Sequence, residues 1–454
     1  YAMSPETLRG QGCETFDAIK KSLEKMATLP VRPKIEPGDL AKEFSKLPPT
    51  QGKGDNLHAI LQEFEDKIIP GITNWQHPGF MAYYPASTSV PAVLGEMLTA
   101  VTAAVGIQWA SNPIATELEV VVMEWLAHML HIPENSPFRH SSGKGGGIIQ
   151  NTAGDAIASV MIAARVNKQR KLIRDPLGLP RDAELSPEQQ EEIFYADSSK
   201  FVVYIGDQAH CSSDTAIRCA GMRHRKIKMQ MMPNGNYGIT KSQVVAAMEA
   251  DKAKGLIPAA VILCHGQTNT CGYDDLASFK NFYEESDCYV HVDAAYAGTS
   301  LILEGMQEKS LELQDCCNSF NLNGSKAFLC GFDSAFLYIR DRALMEETFS
   351  ANGAFLAKAE DSMYSPEFKD WSIPFGRRFR SVRIWVVIEY FGVDGLRKYL
   401  QDGLDQANYL RDKVVGCDFL TQPVVTDLKL VCVRTKDEAR TQEWIDEVFR
   451  LSGE

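Results

Sequence analysis

Apolar runs alternate along this chain with segments of helical or mixed character, and this order constrains the fold more than any other feature. Strands that alternate with helices form a mainly parallel sheet with helices on both faces. From Glu117 to Leu130 the apolar residues recur at helical spacing, which predicts a core helix. The sequence therefore predicts an α/β fold, and its strand-like runs are Phe201 to Ile205, Ala259 to Cys264, Tyr289 to Val292 and Ala335 to Ile339.

Length and composition narrow the class of protein. The 454 residues are 44% hydrophobic and 23% charged, which is typical of a soluble protein with one large domain and smaller appendages. A net charge of -12 argues against a nucleic-acid partner. The chain has no apolar run long enough for a membrane span and begins without a secretory signal, so we expect a cytoplasmic protein. Its 11 cysteines lack metal-ligand spacing, which favours reduced thiols and no metal site.

An acidic residue follows one of the expected strands, and a basic residue lies on a later loop. Asp293 ends an apolar run, and Lys326 lies about thirty residues later in a polar segment. A carboxylate at a strand end can keep a pyridine nitrogen protonated, and a lysine on a later loop can form an imine. The ordered pair predicts a pyridoxal phosphate (PLP) site. The alternatives are an aspartate that only caps a turn and a surface lysine.

A glycine-rich segment precedes a short apolar strand and a helix. Gly145 to Gly147 lead into Ile148-Ile149, and small polar residues then open a helix from Ala156 to Arg165. Free backbone N–H groups and the positive end of a helix dipole bind phosphate groups. The segment predicts a phosphate site, although three glycines also occur in a flexible turn.

Together these features resemble the group II PLP-dependent decarboxylases, specifically the aromatic L-amino acid decarboxylases and aromatic aldehyde synthases. The resemblance rests on Asp293, Lys326, the string Asp207-Gln208-Ala209-His210 and the phosphate segment. It spans nearly the whole chain, and further matching strings are Trp75-Gln76-His77-Pro78 through Tyr83-Tyr84-Pro85, Trp109 to Pro113 with Thr116 to Glu119, and Gly376 to Ser381.

The resemblance implies a fold and an assembly. The fold is PLP-dependent transferase fold type I, like aspartate aminotransferase, with a mainly parallel seven-stranded sheet, helices on both faces and a small C-terminal domain. Residues 1–71 would form an arm that packs on the partner of a homodimer with shared active sites. Residues 72–380 would form the PLP-binding domain, with a mobile catalytic loop at about 345–372. Residues 381–454 would form the small domain, which we expect to be truncated.

The resemblance also implies roles for individual residues. Lys326 would hold the cofactor as an imine, Asp293 would pair with the pyridinium nitrogen, and Ala295 would pack beneath the ring. His210 would stack on the other ring face, unless it is a buried histidine bonded to backbone. Thr268 would hydrogen-bond near the ring oxygen or near Asp293. The phosphate would be surrounded by Thr152, Ala153, Gly154, Ser319 and Asn323.

An aromatic substrate follows from the residues that match the family's side-chain pocket. These are Trp75, Tyr83, Tyr84, Pro85, Val105 and Ile107, and the alternative is that they are core residues, above all Val105.

The implied reaction is decarboxylation of an aromatic L-amino acid through an external aldimine and a quinonoid. In the family a loop tyrosine then protonates Cα, but position 355, 29 residues after Lys326, is Phe355. This change marks aldehyde synthases among plant relatives, so the product is expected to be an aromatic acetaldehyde. The alternative is an amine, with Tyr364 as a displaced donor. An aminotransferase and a non-catalytic relative are further alternatives.

Two other positions depart from the family pattern. The lysine is flanked by Gly324-Ser325 and Ala327 where the family has proline-histidine and tryptophan, and Gly154 replaces a phosphate-binding serine. These changes concern efficiency and PLP retention more than the fold.

Overall fold

The computed structural model describes residues 4–54, 56–180, 183, 185–350 and 362–452. The chain forms two compact units. One comprises Tyr1–Ala86 with Glu443–Glu454, and the other comprises Ser87–Gln442.

The second unit is built on a seven-stranded sheet whose strand order is β1-β9-β8-β7-β6-β2-β3. Four neighbouring pairs, from β8 to β3, are parallel, and β9 is antiparallel to both β1 and β8. The predicted α/β class and seven-stranded sheet are thus confirmed. In chain order the strands are β1 Gly146–Gln150, β2 Phe201–Gly206, β3 Arg223–Ile227, β4 Gln230–Met231, β5 Tyr237–Gly238, β6 Ile257–Cys264, β7 Tyr289–Asp293, β8 Ser319–Asn323, β9 Ala335–Ile339, β10 Leu420–Thr421 and β11 Arg434–Thr435.

Helices pack on both faces of this sheet. Alternate residues of one strand enter two different cores, because side chains of a strand point in turn to opposite faces. On β2, Val202 and Tyr204 join one core with helix residues such as Leu126, whereas Val203 and Ile205 join the other core with Val160. The helices of this unit are α4 Val90–Thr102, α5 Pro113–Met129, α6 Ala153–Leu177, α7 Pro187–Tyr195, α8 Cys211–Cys219, α9 Lys241–Lys252, α10 Phe282–Glu285, α11 Gln307–Cys316, α12 Gly324–Ala327, α13 Arg342–Phe349 and α14 Ser381–Val415.

The first unit is helical. It holds α1 Pro5–Met26, α2 Asp39–Lys42 and α3 Leu57–Glu63, and α15 Thr441–Ser452 extends into it. The turn that follows α3 is fixed to α1, because Lys25 donates to the Glu65 backbone oxygen at 2.9 Å and Lys21 pairs with the Glu65 carboxylate at 2.9 Å. Several apolar side chains of this unit remain exposed, among them Leu23 and Leu47.

Candidate active site

The topology brings most of the predicted site to one edge of the sheet. Parallel neighbours β2, β6, β7 and β8 end at the same edge, and β1 ends there too, because it is antiparallel to β9 and β9 is antiparallel to β8. We call this the carboxyl edge. The residues that end or follow these five strands are Thr152, His210, Thr268, Asp293 and Lys326. Ligands of open α/β sheets bind outside this edge.

Asp293 is the last residue of β7 and is 8% exposed. The Ala295 backbone N–H donates to its Oδ1 at 3.0 Å, and the Asn321 amide Nδ2 donates to the same oxygen at 3.4 Å. Among the residues that the structure describes, no hydrogen bond reaches Oδ2. One carboxylate oxygen is therefore anchored, while the other can accept from a ligand, which fits a protonated pyridine nitrogen.

Lys326 lies in the short helix α12, directly after β8, and its side chain is half-buried. Burial lowers the pKa of Lys326 below its usual value, and the nearby Asp293 carboxylate opposes that shift. A lowered pKa increases the fraction of neutral amine, which is the form that attacks a carbonyl carbon.

The backbone and the hydroxyl of one serine hold the turn that carries Lys326. Ser87 donates from its N–H to the Ser325 oxygen at 2.7 Å, and its hydroxyl accepts from the Leu329 N–H at 3.2 Å. Gly324 is required by packing, because a Cβ there would lie 2.8 Å from the Phe336 ring. The packing around position 324 therefore fits a glycine where the family has a proline.

The helix that opens after β1 provides the expected phosphate end. Thr152 caps α6 by accepting from the Asp155 N–H at 3.2 Å, so the first N–H groups of a 25-residue helix face the carboxyl edge. Asn323, at the end of β8, contributes a buried Oδ1 that has no hydrogen-bond partner within the described residues. Orphaned buried polar atoms are rare, and an amide oxygen only accepts, so a phosphate group here would be held by the Nδ2 group of a rotated Asn323 amide.

The glycine run lies elsewhere. Gly145, Gly146 and Gly147 are at the start of β1, at the opposite edge from Thr152. Gly146 has φ +151°, and a Cβ there would lie 2.6 Å from the His140 ring. These glycines serve close packing, so the phosphate prediction rests on the start of α6 alone.

Ser319 is the predicted phosphate contact that the structure places apart from the others. It is the first residue of β8, four positions before Asn323, and therefore lies about 13 Å from that strand end. It is fully buried, and its Oγ lies 2.8 Å from His291 Nδ1. His291, on β7, was not predicted from the sequence, although the alternation of polar residues His291-Val292-Asp293 was its signal.

His210 caps α8 and is exposed, so it is not the buried histidine of the alternative. Its Nδ1 accepts from the Ser212 N–H at 3.2 Å. A neutral ring with Nδ1 as acceptor carries its proton on Nε2, which leaves that N–H for a ligand.

Thr268 lies in the loop after β6, and its side chain is half-buried. Buried Asp274 organises this loop by accepting from the N–H groups of Cys264 at 2.7 Å and Ile239 at 2.9 Å. Burial raises the pKa of Asp274 to about 7. The role of this aspartate could not be predicted from the sequence, because two backbone partners distant in sequence define it.

The predicted substrate residues fall into both units. Trp75, Tyr83, Tyr84 and Pro85 belong to the first unit, where Trp75 and Tyr83 stack at 5.4 Å and both are exposed. Val105 and Ile107 belong to the second unit. Val105 pairs with the backbone of Arg378 and is 52% exposed, so it is not a core residue.

Phe355 lies outside the described residues. On one side of it, α13 ends at Phe349. On the other side, Phe368 to Trp371 are buried, and the Trp371 ring stacks on His140 at 5.6 Å.

The arginines of the string Gly376 to Ser381 fix the end of β1. Arg377 pairs with Glu119 at 2.5 Å and donates to the Ile149 oxygen at 2.8 Å. Arg380 donates to Asn151 and pairs with Asp333 at 3.1 Å, so one side chain joins the phosphate end to the loop after Lys326. The string therefore supports the site.

The described residues contain no cluster of three or more histidine, cysteine, aspartate or glutamate side chains arranged to hold a metal ion. None of the helices in the described ranges combines the length and apolar character needed to cross a membrane.

Comparisons with known proteins agree with this geometry. Residues 37–436 match the family model described as the pyridoxal-dependent decarboxylase conserved domain. Tryptophan decarboxylase 2 of Oryza sativa subsp. japonica is 33% identical over 434 residues, covering 95% of this chain and 82% of that protein. Histidine decarboxylase of Homo sapiens is 34% identical over 437 residues, covering 96% of this chain and 62% of that protein. The crystal structure of Rhodiola rosea 4-hydroxyphenylacetaldehyde synthase matches with a TM-score of 0.86 at 27% identity, covering 99% of this chain and 90% of that one.

Proposed function

The chain belongs to the pyridoxal-dependent decarboxylase family and is a PLP-dependent carboxy-lyase, and from this premise we propose that it converts an aromatic L-amino acid into the corresponding aromatic acetaldehyde. The observation that supports decarboxylation is that Lys326 and Asp293 both lie at the carboxyl edge. The observation that favours the aldehyde is phenylalanine at position 355.

Different residues at the carboxyl edge would hold different parts of PLP. When bound, PLP supplies an electron sink for the pair released as the bond from Cα to the carboxylate breaks. Asp293 Oδ2 would accept from the ring nitrogen and so keep it protonated. Lys326 would bond the cofactor covalently. The N–H groups at the start of α6, at Thr152, Ala153 and Gly154, would hold the phosphate together with the Nδ2 group of Asn323.

The other predicted residues orient the reactants. His210 would face the ring with its Nε2–H directed to the substrate carboxylate, and Ala295 would pack against the opposite face. Thr268 would donate near the ring oxygen from the loop that Asp274 fixes. These roles are consistent with the strand ends from which each residue emerges.

Whether the product is an amine or an aldehyde depends on whether Cα is protonated. An amine forms when a nearby donor protonates Cα after carbon dioxide leaves. A phenyl ring at position 355 has no proton to give, so dioxygen can instead take the electrons. The balanced reaction is amino acid plus dioxygen plus water, giving aldehyde, carbon dioxide, ammonia and hydrogen peroxide.

The names of the relatives support an aromatic amino acid as the substrate, but they do not distinguish one such amino acid from another. The rice relative is named for tryptophan, the human one for histidine and the Rhodiola one for 4-hydroxyphenylacetaldehyde. Within the first unit, the stacked rings of Trp75 and Tyr83 are exposed aromatic surface.

A homodimer is part of the proposal. Helix α4 exposes a group of apolar side chains that a monomer would leave in water, and contiguous exposed apolar patches mark interfaces. These are Val90, Val93, Leu94, Met97, Leu98 and Val101.

We also propose that the protein is cytoplasmic, since its eleven cysteines, all within the described ranges, are free thiols.

The test is to incubate PLP-loaded protein with L-tryptophan, L-tyrosine, L-phenylalanine, L-DOPA and L-histidine in air. Carbon dioxide, amine, aldehyde and peroxide are measured together. We expect aldehyde and peroxide in equal amounts from at least one substrate. Amine without peroxide would contradict the proposed product, and no carbon dioxide from any of them would contradict the substrate class.

Three variants test what determines whether the product is an amine or an aldehyde. Phe355→Tyr adds a hydroxyl and should move the product towards amine, whereas the matched control Phe355→Leu adds none and should leave aldehyde as the product. Tyr364→Phe tests the displaced donor, and it should change nothing. If Tyr364→Phe abolishes amine formation, Tyr364 is the donor and the chain is an amine-forming decarboxylase.

A further inference from the structure

Four polar side chains form a continuous hydrogen-bonded chain on two neighbouring strands. His291 and Asp293 are alternate residues of β7, and Ser319 and Asn321 face them in register on β8. His291 Nδ1 lies 2.8 Å from Ser319 Oγ, its Nε2 lies 2.8 Å from Asn321 Oδ1, and Asn321 Nδ2 lies 3.4 Å from Asp293 Oδ1. His291, Ser319 and Asn321 are fully buried.

The chemistry of the last member fixes the direction of every bond in this chain. An ionised carboxylate only accepts, so Asn321 must present its NH2 group to Asp293. Its carbonyl oxygen then faces His291 and requires a proton on Nε2. The neutral imidazole therefore accepts at Nδ1, and Ser319 must donate. One arrangement of protons satisfies all three contacts.

We propose that His291 is a positioning residue that, as the neutral Nε2–H tautomer, orients the Asn321 amide towards Asp293 and so holds Asp293 in place as the partner of the cofactor's ring nitrogen. This inference rests on the proposed PLP site and extends it to residues that touch neither cofactor nor substrate.

The alternative orientation shows why His291 matters. If the Asn321 amide were reversed, its carbonyl oxygen would face the Asp293 carboxylate, and two acceptors would repel each other. The Nε2–H of His291 prevents that reversal, since a reversed amide would also place NH2 against an N–H. The Ala295 N–H donates to the same Asp293 oxygen, so two donors define the carboxylate position.

Burial keeps the histidine in the required state. It lowers the pKa of His291 to about 4, against the opposing effects of the Asp293 carboxylate and of the hydrogen bonds to the Asn321 side chain and the Ser319 backbone. The ring is therefore neutral at working pH. A protonated ring would also donate at Nδ1 and reverse the hydrogen bond with Ser319, although its Nε2–H would still donate to Asn321.

The structure offers a matched control. His140 is also buried, and burial also lowers its pKa to about 4. Its Nε2 lies 2.7 Å from the Gly147 oxygen near the start of β1, away from the carboxyl edge. Loss of either ring removes a buried histidine, but only His291 is joined to Asp293.

The experiment compares His291→Phe, Asn321→Leu and His140→Phe as PLP-loaded enzymes. The readouts are the PLP dissociation constant and the pH at which the visible absorbance of the bound cofactor changes. We expect His291→Phe and Asn321→Leu to weaken PLP binding by about tenfold, the ratio expected for one hydrogen bond to a charged group, and to shift the absorbance titration. His140→Phe should alter neither readout.

Unchanged binding and absorbance in the folded His291→Phe and Asn321→Leu enzymes would overturn the inference. If the variants do not fold, ¹⁵N NMR of the histidine-labelled wild-type enzyme decides, because it reports the tautomer directly. A neutral Nε2–H ring at His291 supports the inference, and an Nδ1–H or protonated ring overturns it. Failure of the wild-type protein to bind PLP at all would instead refute the proposed function.

Discussion

Breaking the buried ion pair between Glu119 and Arg377 should destabilise the protein far more than breaking an exposed one. Glu119 Oε1 accepts from Arg377 at 2.5 Å and from the Ile149 N–H at 2.9 Å. The two side chains are 3% and 6% exposed. Glu119→Gln keeps the volume and the hydrogen bond to Ile149 but removes the negative charge, which leaves a buried guanidinium without its partner.

The magnitude follows from this burial. Removing one member of a buried pair costs about 3–5 kcal/mol, and the retained amide places Glu119→Gln near 3 kcal/mol. The control is Asp402→Asn, which breaks the pair with Lys398 at 2.7 Å on the surface of α14. Those side chains are 51% and 73% exposed, so the control should cost less than about 0.5 kcal/mol.

The assay is urea unfolding followed by circular dichroism, with all proteins at one concentration and in saturating PLP. The midpoint should fall for Glu119→Gln at an unchanged slope, since the surface exposed on unfolding stays the same. Equal free energies of unfolding for Glu119→Gln and Asp402→Asn would refute the argument. PLP binding should weaken in Glu119→Gln as well, because the pair holds the strand that leads into α6.

Three further predictions follow from single positions. Gly154→Ser should strengthen PLP binding by about fivefold in a fluorescence titration, since the added hydroxyl contributes about 1 kcal/mol of hydrogen bonding. The side chain fits, because a Cβ at position 154 would meet only ordinary contacts at 3.5 and 3.7 Å. Weaker PLP binding would contradict this prediction. Burial raises the pKa of Asp274 to about 7, so the folded state holds this proton more tightly than the unfolded state. Stability relative to Asp274→Asn should therefore fall as pH rises from about 4 to 7, and a difference independent of pH would count against the shift. Gly266→Ala should destabilise more than Gly255→Ala in thermal unfolding, because both have positive φ but only Gly266 would place a Cβ 2.5 Å from Ala297; equal losses would disprove the steric cause.

The sequence predicted the strands that are apolar throughout. Ala335–Ile339 matches its predicted bounds, because a strand buried on both faces is a continuous apolar run. Two strands of the sheet carried no such signal. Arg223–Ile227 is an edge strand with charged side chains, which are common at sheet edges. Ser319–Asn323 is polar on the face that meets His291 and Asp293.

Local pattern predicted the site only in part. Asp293 could be placed at a strand end because an apolar run precedes it, whereas Lys326 was paired with it by their spacing and by the family resemblance, since the strand before Lys326 has no apolar signal. The contact between His291 and Ser319 could not be predicted, since it depends on the register between β7 and β8. The glycines before β1 suggested a phosphate site that they do not form, for a similar reason. A Cβ at these positions would clash with His140 or with β9, and only the folded chain brings those residues near.

The most direct test of the account is to identify the residue that bonds the cofactor. Borohydride reduction of the PLP-loaded enzyme converts the carbon–nitrogen double bond into a stable amine, and peptide mass spectrometry then locates the added mass. The account predicts the label on Lys326, with loss of the label in Lys326→Ala. Label on another lysine, or none in a protein that binds PLP, would contradict the assignment of the carboxyl edge as the active site.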